Sequence, residues 1–331
     1  MKIGMLFPGY SSQFVGMGKE LYDSSRVVQE HFEEASNCLG INFVKLCFAS
    51  SDVELGKVTN AYPALLLVGL STAHRILELY PEMTINCVAG YGIGEYGALC
   101  LAKGLTFPDG LYLLSKLSQF YTAMREELSA KSVVVNGLAS RKLKQICEEQ
   151  NTPGVCAHIA IYENKHDHIV SGHSAAVDAI ADSASDAGAG KIKEVDAIEG
   201  FHTPLLQGLA EHLKMYLTKV DFKDPQIPLI MGINGKETCL AKKAQDAIIR
   251  QIAEPFHWDT VLKQFASVDM IIIPAPSKSL VAEVREHFPH KIVVGVDTLA
   301  DLQNLRAYMK HKTADEPLLE ERDFSEVVGV L

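Results

Sequence analysis

Three groups of residues carry spacings that chemistry could use. The first is Gly90-Tyr91-Gly92-Ile93-Gly94, which follows the apolar run Ile85 to Ala89 and opens a helical stretch through Cys100. Gly92-x-Gly94-x-x-Gly97 fits the G-x-G-x-x-G of a dinucleotide site, in which a glycine-rich turn lets the backbone approach a pyrophosphate. The strand ending in an acid about 20 residues further on, which would hold a ribose, does not follow. The second group is His166, Asp167, His168 and His173. Alternate histidines place both imidazoles on one strand face, as metal ligation requires, but solvated loop histidines and no metal are the expectation here. The third group is seven cysteines, at 38, 47, 87, 100, 147, 156 and 239, with no C-x-x-C. Without a cleavable N-terminal signal they read as reduced thiols of a cytoplasmic protein, not as zinc ligands.

The elements that would position these groups alternate along the chain. Ile3 to Phe7 reads as a first strand, with helical patterning from about Val15 to Tyr22 and an amphipathic helix over 26–38. A buried helix is predicted over 63–79, with Pro63 in its first turn. This repeated β-turn-α order argues an α/β fold with a mostly parallel sheet. The texture changes over 131–198, where strands near 133–135, 155–162, 168–171 and 192–197 and helices over 140–150 and 174–187 follow the β-α-β-β-α-β order of a ferredoxin-like module. Gly188-Ala189-Gly190 reads as a helix C-cap before the last of these strands. Patterning of the first kind resumes at 203–216, 227–233, 241–253 and 268–274. Residues 1–130 and 199–311 are therefore expected to form one large domain, 131–198 an insert, and 312–331 a polar, acidic tail.

The 331 residues amount to about two domains' worth. With 47% hydrophobic and 22% charged residues, the chain is neither disordered nor a disulfide scaffold. No apolar run approaches the ~20 residues of a membrane-spanning helix. A net charge of −10, from 31 basic and 41 acidic residues with no basic stripe, speaks against nucleic acid as a partner.

Five blocks in order resemble one family. Phe7-Pro8-Gly9-Tyr10-Ser11-Ser12-Gln13, with Gly16-Met17-Gly18 behind it, is similar to the F-P-G-Q-G-S-Q-x-x-G-M-G opening of malonyl-CoA:acyl carrier protein transacylases. Tyr62-Pro63-Ala64-Leu65 resembles Q-P-A-L, and Ala89 to Leu99 resembles A-G-H-S-L-G-E-Y-x-A-L in register. Gly200-Phe201-His202-Thr203-Pro204-Leu205 resembles the segment of the catalytic histidine, and Gln251 to Trp258 resembles Q-x-x-x-P-V-x-W. The resemblance implies an acyltransferase fold with an α/β-hydrolase-like domain and a ferredoxin-like insert. It also accounts for the glycines at 90–97 without a nucleotide.

The chemistry so implied is two-step acyl transfer. A serine on a strained strand-to-helix turn takes the acyl group from acyl-CoA, and a histidine accepts its proton. The phosphopantetheine thiol of an acyl carrier protein then takes the acyl group. By resemblance His202 is the base, Gln251 orients it, and the amides of Tyr10 and Ile93 hold the oxyanion. Acyl-CoA and the carrier protein are the implied partners, with no permanently bound cofactor.

The departures fall on the chemistry. Gly92 stands at the serine position, Tyr91 at the preceding histidine and Leu117 at the arginine that pairs with the malonyl carboxylate. Tyr10 and Tyr62 replace glutamines, and Asp167 falls on a later glutamine of the substrate site. Lys116, next to Leu117, points about 100° away around a helix. Ser11, Ser12, Cys87 and Cys100 lie near enough to be weighed as substitute nucleophiles. The serines are expected to satisfy loop backbone groups and the cysteines to be core. Removing such a nucleophile costs ~10⁶-fold in turnover, so serine-ester transfer is expected to be impaired or absent. Loss of the arginine points to uncharged acyl groups, or to hydrolysis of stalled acyl carriers. The alternative is a non-catalytic protein that binds an acyl carrier protein or a partner enzyme as a scaffold.

Overall fold

The structure, a computed structural model, describes residues 1–125, 127–195 and 199–311. The acidic stretch 312–331 and positions 196–198 lie outside the described residues. In chain order the strands are β1 (Ile3–Phe7), β2 (Ile85–Gly90), β3 (Ala130–Val135), β4 (Ala157–Tyr162), β5 (His168–His173), β6 (Ile192–Glu194), β7 (Leu229–Met231), β8 (Lys236–Thr238), β9 (Met270–Pro274) and β10 (Ile292–Val296).

Six of them form one sheet in the order β10-β9-β1-β2-β7-β8. All neighbours are parallel except β8, which returns antiparallel to β7 through Gly232–Gly235. The central strands β1 and β9 are buried along their whole length. That is why they read as unbroken apolar runs: a parallel sheet is covered by helices on both faces.

Two helices begin where the sequence alone does not place them. Helical geometry in the first loop starts only at Lys19, because Gly18 takes a left-handed φ of 77° just before it. The long buried helix runs Val58–Leu79, so Pro63 lies inside it and not in its first turn. A proline there removes one backbone hydrogen bond, and packing along this buried, apolar helix outweighs that loss.

The second sheet has the order β4-β5-β3-β6, all antiparallel. Helices Ser140–Gln150 and Ser174–Asp186 cover one face, around Val133, Val135, Val170 and Ile180. Its other face, with Val134, Ile161 and Ile169, packs on Phe256, Trp258 and Leu6 of the large sheet's layer. A main-chain seam joins the two: the Phe256 N–H donates to the Ala160 carbonyl at 2.8 Å, and the Tyr162 N–H to the Phe256 carbonyl at 2.9 Å. No helix among the described residues is long and apolar enough to cross a membrane.

Phe256 thus serves both the seam and the core, and it is fully buried. Truncating it to alanine should cost about 3–5 kcal/mol, the usual range for a buried aromatic. Urea unfolding followed by fluorescence of the single tryptophan, Trp258, measures this. A loss below about 1 kcal/mol would show that the seam holds without the ring.

Candidate active site

Parallel pairing of β1 with β2, in the register Phe7 to Gly90, sets the carboxyl ends of both strands side by side. The Tyr91 N–H continues the pairing to the Phe7 carbonyl at 2.9 Å. From there the chain turns sharply into helix Gly94–Leu101. Contact at this elbow is so close that a Cβ on Gly90 would lie 1.9 Å from the Gly94 carbonyl carbon. Gly92, at the apex, has φ +54°, and a Cβ built there would meet nothing within 4 Å. The apex therefore keeps the left-handed, outward-facing geometry that a nucleophile elbow gives its side chain, with no side chain on it.

One cavity of about 40 Å³ opens at this apex. It brings together Tyr10, Tyr62, Tyr91, Gly92, Ile93, Leu117, His202 and Gln251, eight of the residues singled out from the sequence. Tyr96, Ile161, Phe201, Ile248 and Ile252 complete its wall. Tyr96 and Phe201 fall within the recognised blocks, whereas Ile161 arrives from β4 of the small sheet and carries no local signal. Asp167 does not line the cavity. It sits in the β4–β5 turn, where its carboxylate accepts from Asn164 Nδ2 at 2.8 Å and from the Gly137 N–H at 3.0 Å. Burial works against its charge, but these hydrogen bonds and one from Asn136 outweigh it and hold the carboxyl below its ordinary value.

His202 has the geometry of a held base. Its backbone is left-handed, with φ +59°, and its N–H donates to the Ile252 carbonyl at 2.9 Å. Nδ1 meets the Gln251 carbonyl oxygen. A carbonyl only accepts, so Nδ1 carries the proton and Nε2 is left as the acceptor. Gln251 therefore orients His202 through its main chain. Its side chain points elsewhere, with Nε2 donating to Glu95 Oε2 at 2.7 Å. Burial pushes the His202 pKa down to about 4, against the effect of the Gln251 carbonyl, so the ring is neutral at pH 7.

Glu95, fully buried beneath the elbow, accepts from the Gly232 N–H on its other oxygen. Burial drives its carboxyl up to about 8 in spite of both hydrogen bonds. A neutral carboxyl carries one O–H, and turning the Gln251 amide over would present Oε1 to it. Gln251 Oε1 is a buried atom that otherwise has no partner.

Tyr10, Tyr62 and Tyr91 occupy the space around the apex. The Tyr10 hydroxyl donates to the Gly56 carbonyl at 2.6 Å, and its ring meets Tyr62 edge-on at 5.6 Å. Tyr62 is 2% exposed. The Tyr91 hydroxyl donates to Glu163 in the β4–β5 turn, with its ring edge-on to Trp258 at 5.0 Å. Burial and the nearby Glu283 carboxylate push Glu163 up to about 8.

Other expectations resolve on side-chain placement. Leu117 is buried on the cavity wall, while Lys116 lies beside Gln119 and over the Tyr112 ring. The Ser12 hydroxyl donates to the Gly9 carbonyl. Cys87 and Cys100 are buried, and burial pushes the Cys87 thiol up to about 12, so neither is a ready thiolate. His168 is fully buried at the start of β5, where the sequence suggested a solvated loop: the strand begins there and turns its ring inward, edge-on to Tyr162 at 5.5 Å. Among the described residues no three His, Cys, Asp or Glu side chains converge as metal ligands do.

Two substitutions separate the roles of the elbow glycines. Gly90→Ala drives a methyl into main chain and should cost about 3 kcal/mol or more. Gly92→Ala meets open space and should cost only the left-handed penalty, about 1–2 kcal/mol. Chemical denaturation of both variants checks the order, and equal losses would contradict the contact geometry. The buried acid adds a pH signature. A carboxyl raised from about 4.5 to about 8 leaves the unfolded chain holding fewer protons between those values, so stability falls as pH rises from about 5 to about 8. His202, depressed to about 4, contributes the opposite slope, and only below about pH 6.5. Glu95→Gln, which keeps an acceptor for Gly232 and offers a donor to Gln251, should lessen the fall between pH 6.5 and 8 and leave the share of Glu163, which burial also raises to about 8. Urea titrations of both proteins at pH 5, 6.5 and 8 measure it, and parallel curves would show that Glu95 is charged in the fold.

Residues 5–296 match the model of the acyl transferase domain family. The malonyl CoA-acyl carrier protein transacylase of Bacillus subtilis strain 168 is 29% identical over 289 residues, covering 86% of this chain and 90% of that one. The solved malonyl CoA-acyl carrier protein transacylase of Coxiella burnetii superposes with a TM-score of 0.87 at 24% identity, over 94% of this chain and 98% of that one. A malonyl-transacylase solved in complex with its type II PKS acyl-carrier protein superposes with a TM-score of 0.84 at 24% identity, over 92% and 98%. With the elbow, the first loop and His202 converging on one cavity, the chain has the α/β acyltransferase fold and belongs to the acyl transferase domain family.

Proposed function

We propose that this chain binds the pantetheine thioester of an acyl carrier protein or of acyl-CoA at the elbow cavity, without carrying the acyl group on residue 92. The observation behind this reading is Gly92: the apex keeps its left-handed turn and shares a cavity with a neutral, oriented His202, yet offers no hydroxyl. A serine ester, and with it ping-pong transfer, is not available there. The relative solved with its acyl-carrier protein supports a carrier protein as the partner here. The small antiparallel sheet is read as the family's ferredoxin-like insert, and a cytoplasmic place in fatty-acid or polyketide synthesis follows from the same likeness.

The acyl group so bound is uncharged. Among the described residues no lysine or arginine lines the cavity. Arg125, on the helix that carries Leu117, is engaged by Glu199 at 2.6 Å. Burying a free carboxylate beside Leu117 without a partner would cost several kcal/mol. A second reading, a non-catalytic scaffold for a carrier protein or partner enzyme, draws on the volume. About 40 Å³ is room for only about three waters at 10–15 Å³ each.

Calorimetry with acetyl-CoA, malonyl-CoA and an acyl carrier protein, paired with intact-mass measurement, tests the proposal. Modest binding that does not favour malonyl, with no acyl adduct, is expected. An adduct lost on mutation of one Ser or Cys would name a nucleophile and overturn the proposal, whereas silence with all three would overturn it in favour of a scaffold for a partner enzyme. Repair offers a further check. Gly92→Ser places an alcohol in open space on the His202 cavity, and single-turnover acylation should rise a few orders of magnitude above background, out of the ~10⁶ such a nucleophile is worth. Acetyl should lead malonyl in that variant. Adding Leu117→Arg should shift the preference towards malonyl through charge-assisted pairing. A folded Gly92→Ser protein that stays unacylated by both thioesters would show that the cavity no longer positions a thioester.

A further inference from the structure

The bare apex leaves room on the cavity that His202 also lines. We infer that a water molecule takes the place of the absent hydroxyl and that the chain hydrolyses thioesters of short, uncharged acyl groups, with His202 as general base. This rests on the pantetheine-thioester reading above. Three independent features carry it. A Cβ on Gly92 would meet no atom within 4 Å, so the apex position is open. His202 has Nδ1 tied to the Gln251 carbonyl, which leaves Nε2 as the proton acceptor, and its side chain lines the same cavity as Gly92. Ile93, just before helix Gly94–Leu101, also lines it, with its amide at the positive end of the helix dipole.

The step balances without any further reactant. His202 Nε2 takes one proton from the water, and the water oxygen bonds to the thioester carbonyl carbon. The carbonyl electron pair moves onto oxygen and is stabilised by the Ile93 amide. Collapse of this adduct breaks the C–S bond, and the proton held by His202 passes to the departing sulfur. A carboxylic acid and a free thiol result. No enzyme ester forms, in contrast to the serine route.

Size and charge select the substrate. A cavity of about 40 Å³ holds one water and an acyl group of about two carbons, given 10–15 Å³ per water. The wall has no cation for a carboxylate among the described residues. Acetyl thioesters should be cleaved ahead of malonyl and octanoyl thioesters.

The experiment follows thiol release from acetyl-CoA, malonyl-CoA and octanoyl-CoA, with binding of each measured in parallel by calorimetry and the protein's intact mass recorded during turnover. Acetyl-CoA should be cleaved ~10³–10⁴-fold above the uncatalysed rate, the level that oxyanion stabilisation and binding sustain when a nucleophile is lost. No acyl adduct should accumulate. His202→Ala should return release to background. Gly92→Ala, checked for folding by circular dichroism, should lower it at least ~10-fold, because its methyl takes the water's place. The rate should rise with pH through about 4 and then stay level, following His202. Binding of acetyl-CoA without release, or release that both variants leave unchanged, overturns hydrolysis alone. Absence of binding by all three thioesters overturns the pantetheine reading and hydrolysis with it.

Discussion

Everything at the cavity depends on how closely two pieces of main chain approach one another. The end of β2 and the start of helix Gly94–Leu101 touch through Gly90, and a Cβ on Gly94 would lie 2.4 Å from the Phe7 carbonyl oxygen at the end of β1. Larger residues at either place would push the helix off the sheet. Because this contact is made, the first loop, the elbow and the His202 segment reach one point from parts of the chain about 80 and 110 residues apart. The packing around the apex is made by glycines and main chain, so it needs no side chain at residue 92.

Beneath that point lies a polar network with little charge in it. Glu95, Gln251 and His202 are linked by hydrogen bonds, yet burial favours the uncharged form of both titratable members. Orientation of the imidazole comes from a main-chain carbonyl, that of Gln251, and not from a carboxylate among the described residues. Such a ring keeps its tautomer but gains little basicity from its surroundings. A network of this kind is stiff, because each buried polar group left unpaired would cost free energy. The same logic makes Gln251 a junction: its main chain serves the histidine while its side chain serves the acid.

Local features were legible before the fold was known. The strands β1 and β2, the turn at Gly90 to Gly94 and the placing of His202 and Leu117 on one site all follow from short-range patterns and motif order. What could not be read depends on distant partners. The Tyr91 hydroxyl finds Glu163, 72 residues on, and nothing near either residue announces the pairing. Asp167 is expected at the substrate site but is hydrogen-bonded within its own turn, because motif order does not fix the direction of a side chain. Buried His168 and the Gln251 main-chain contact were missed for the same reason. The hairpin to β8 rests on Asn234-Gly235, a turn signal that the apolar run before it overshadows.

The hydrogen bond from Tyr91 to Glu163 ties the elbow to a turn of the small sheet, while the seam at Phe256 ties that sheet to the next part of the large domain. The apex is therefore spanned from both sides, like the crown of an arch between two abutments. Tyr91 is covalently next to Gly92, so the residue before the apex is gripped by the small sheet while the apex itself has no side chain to grip.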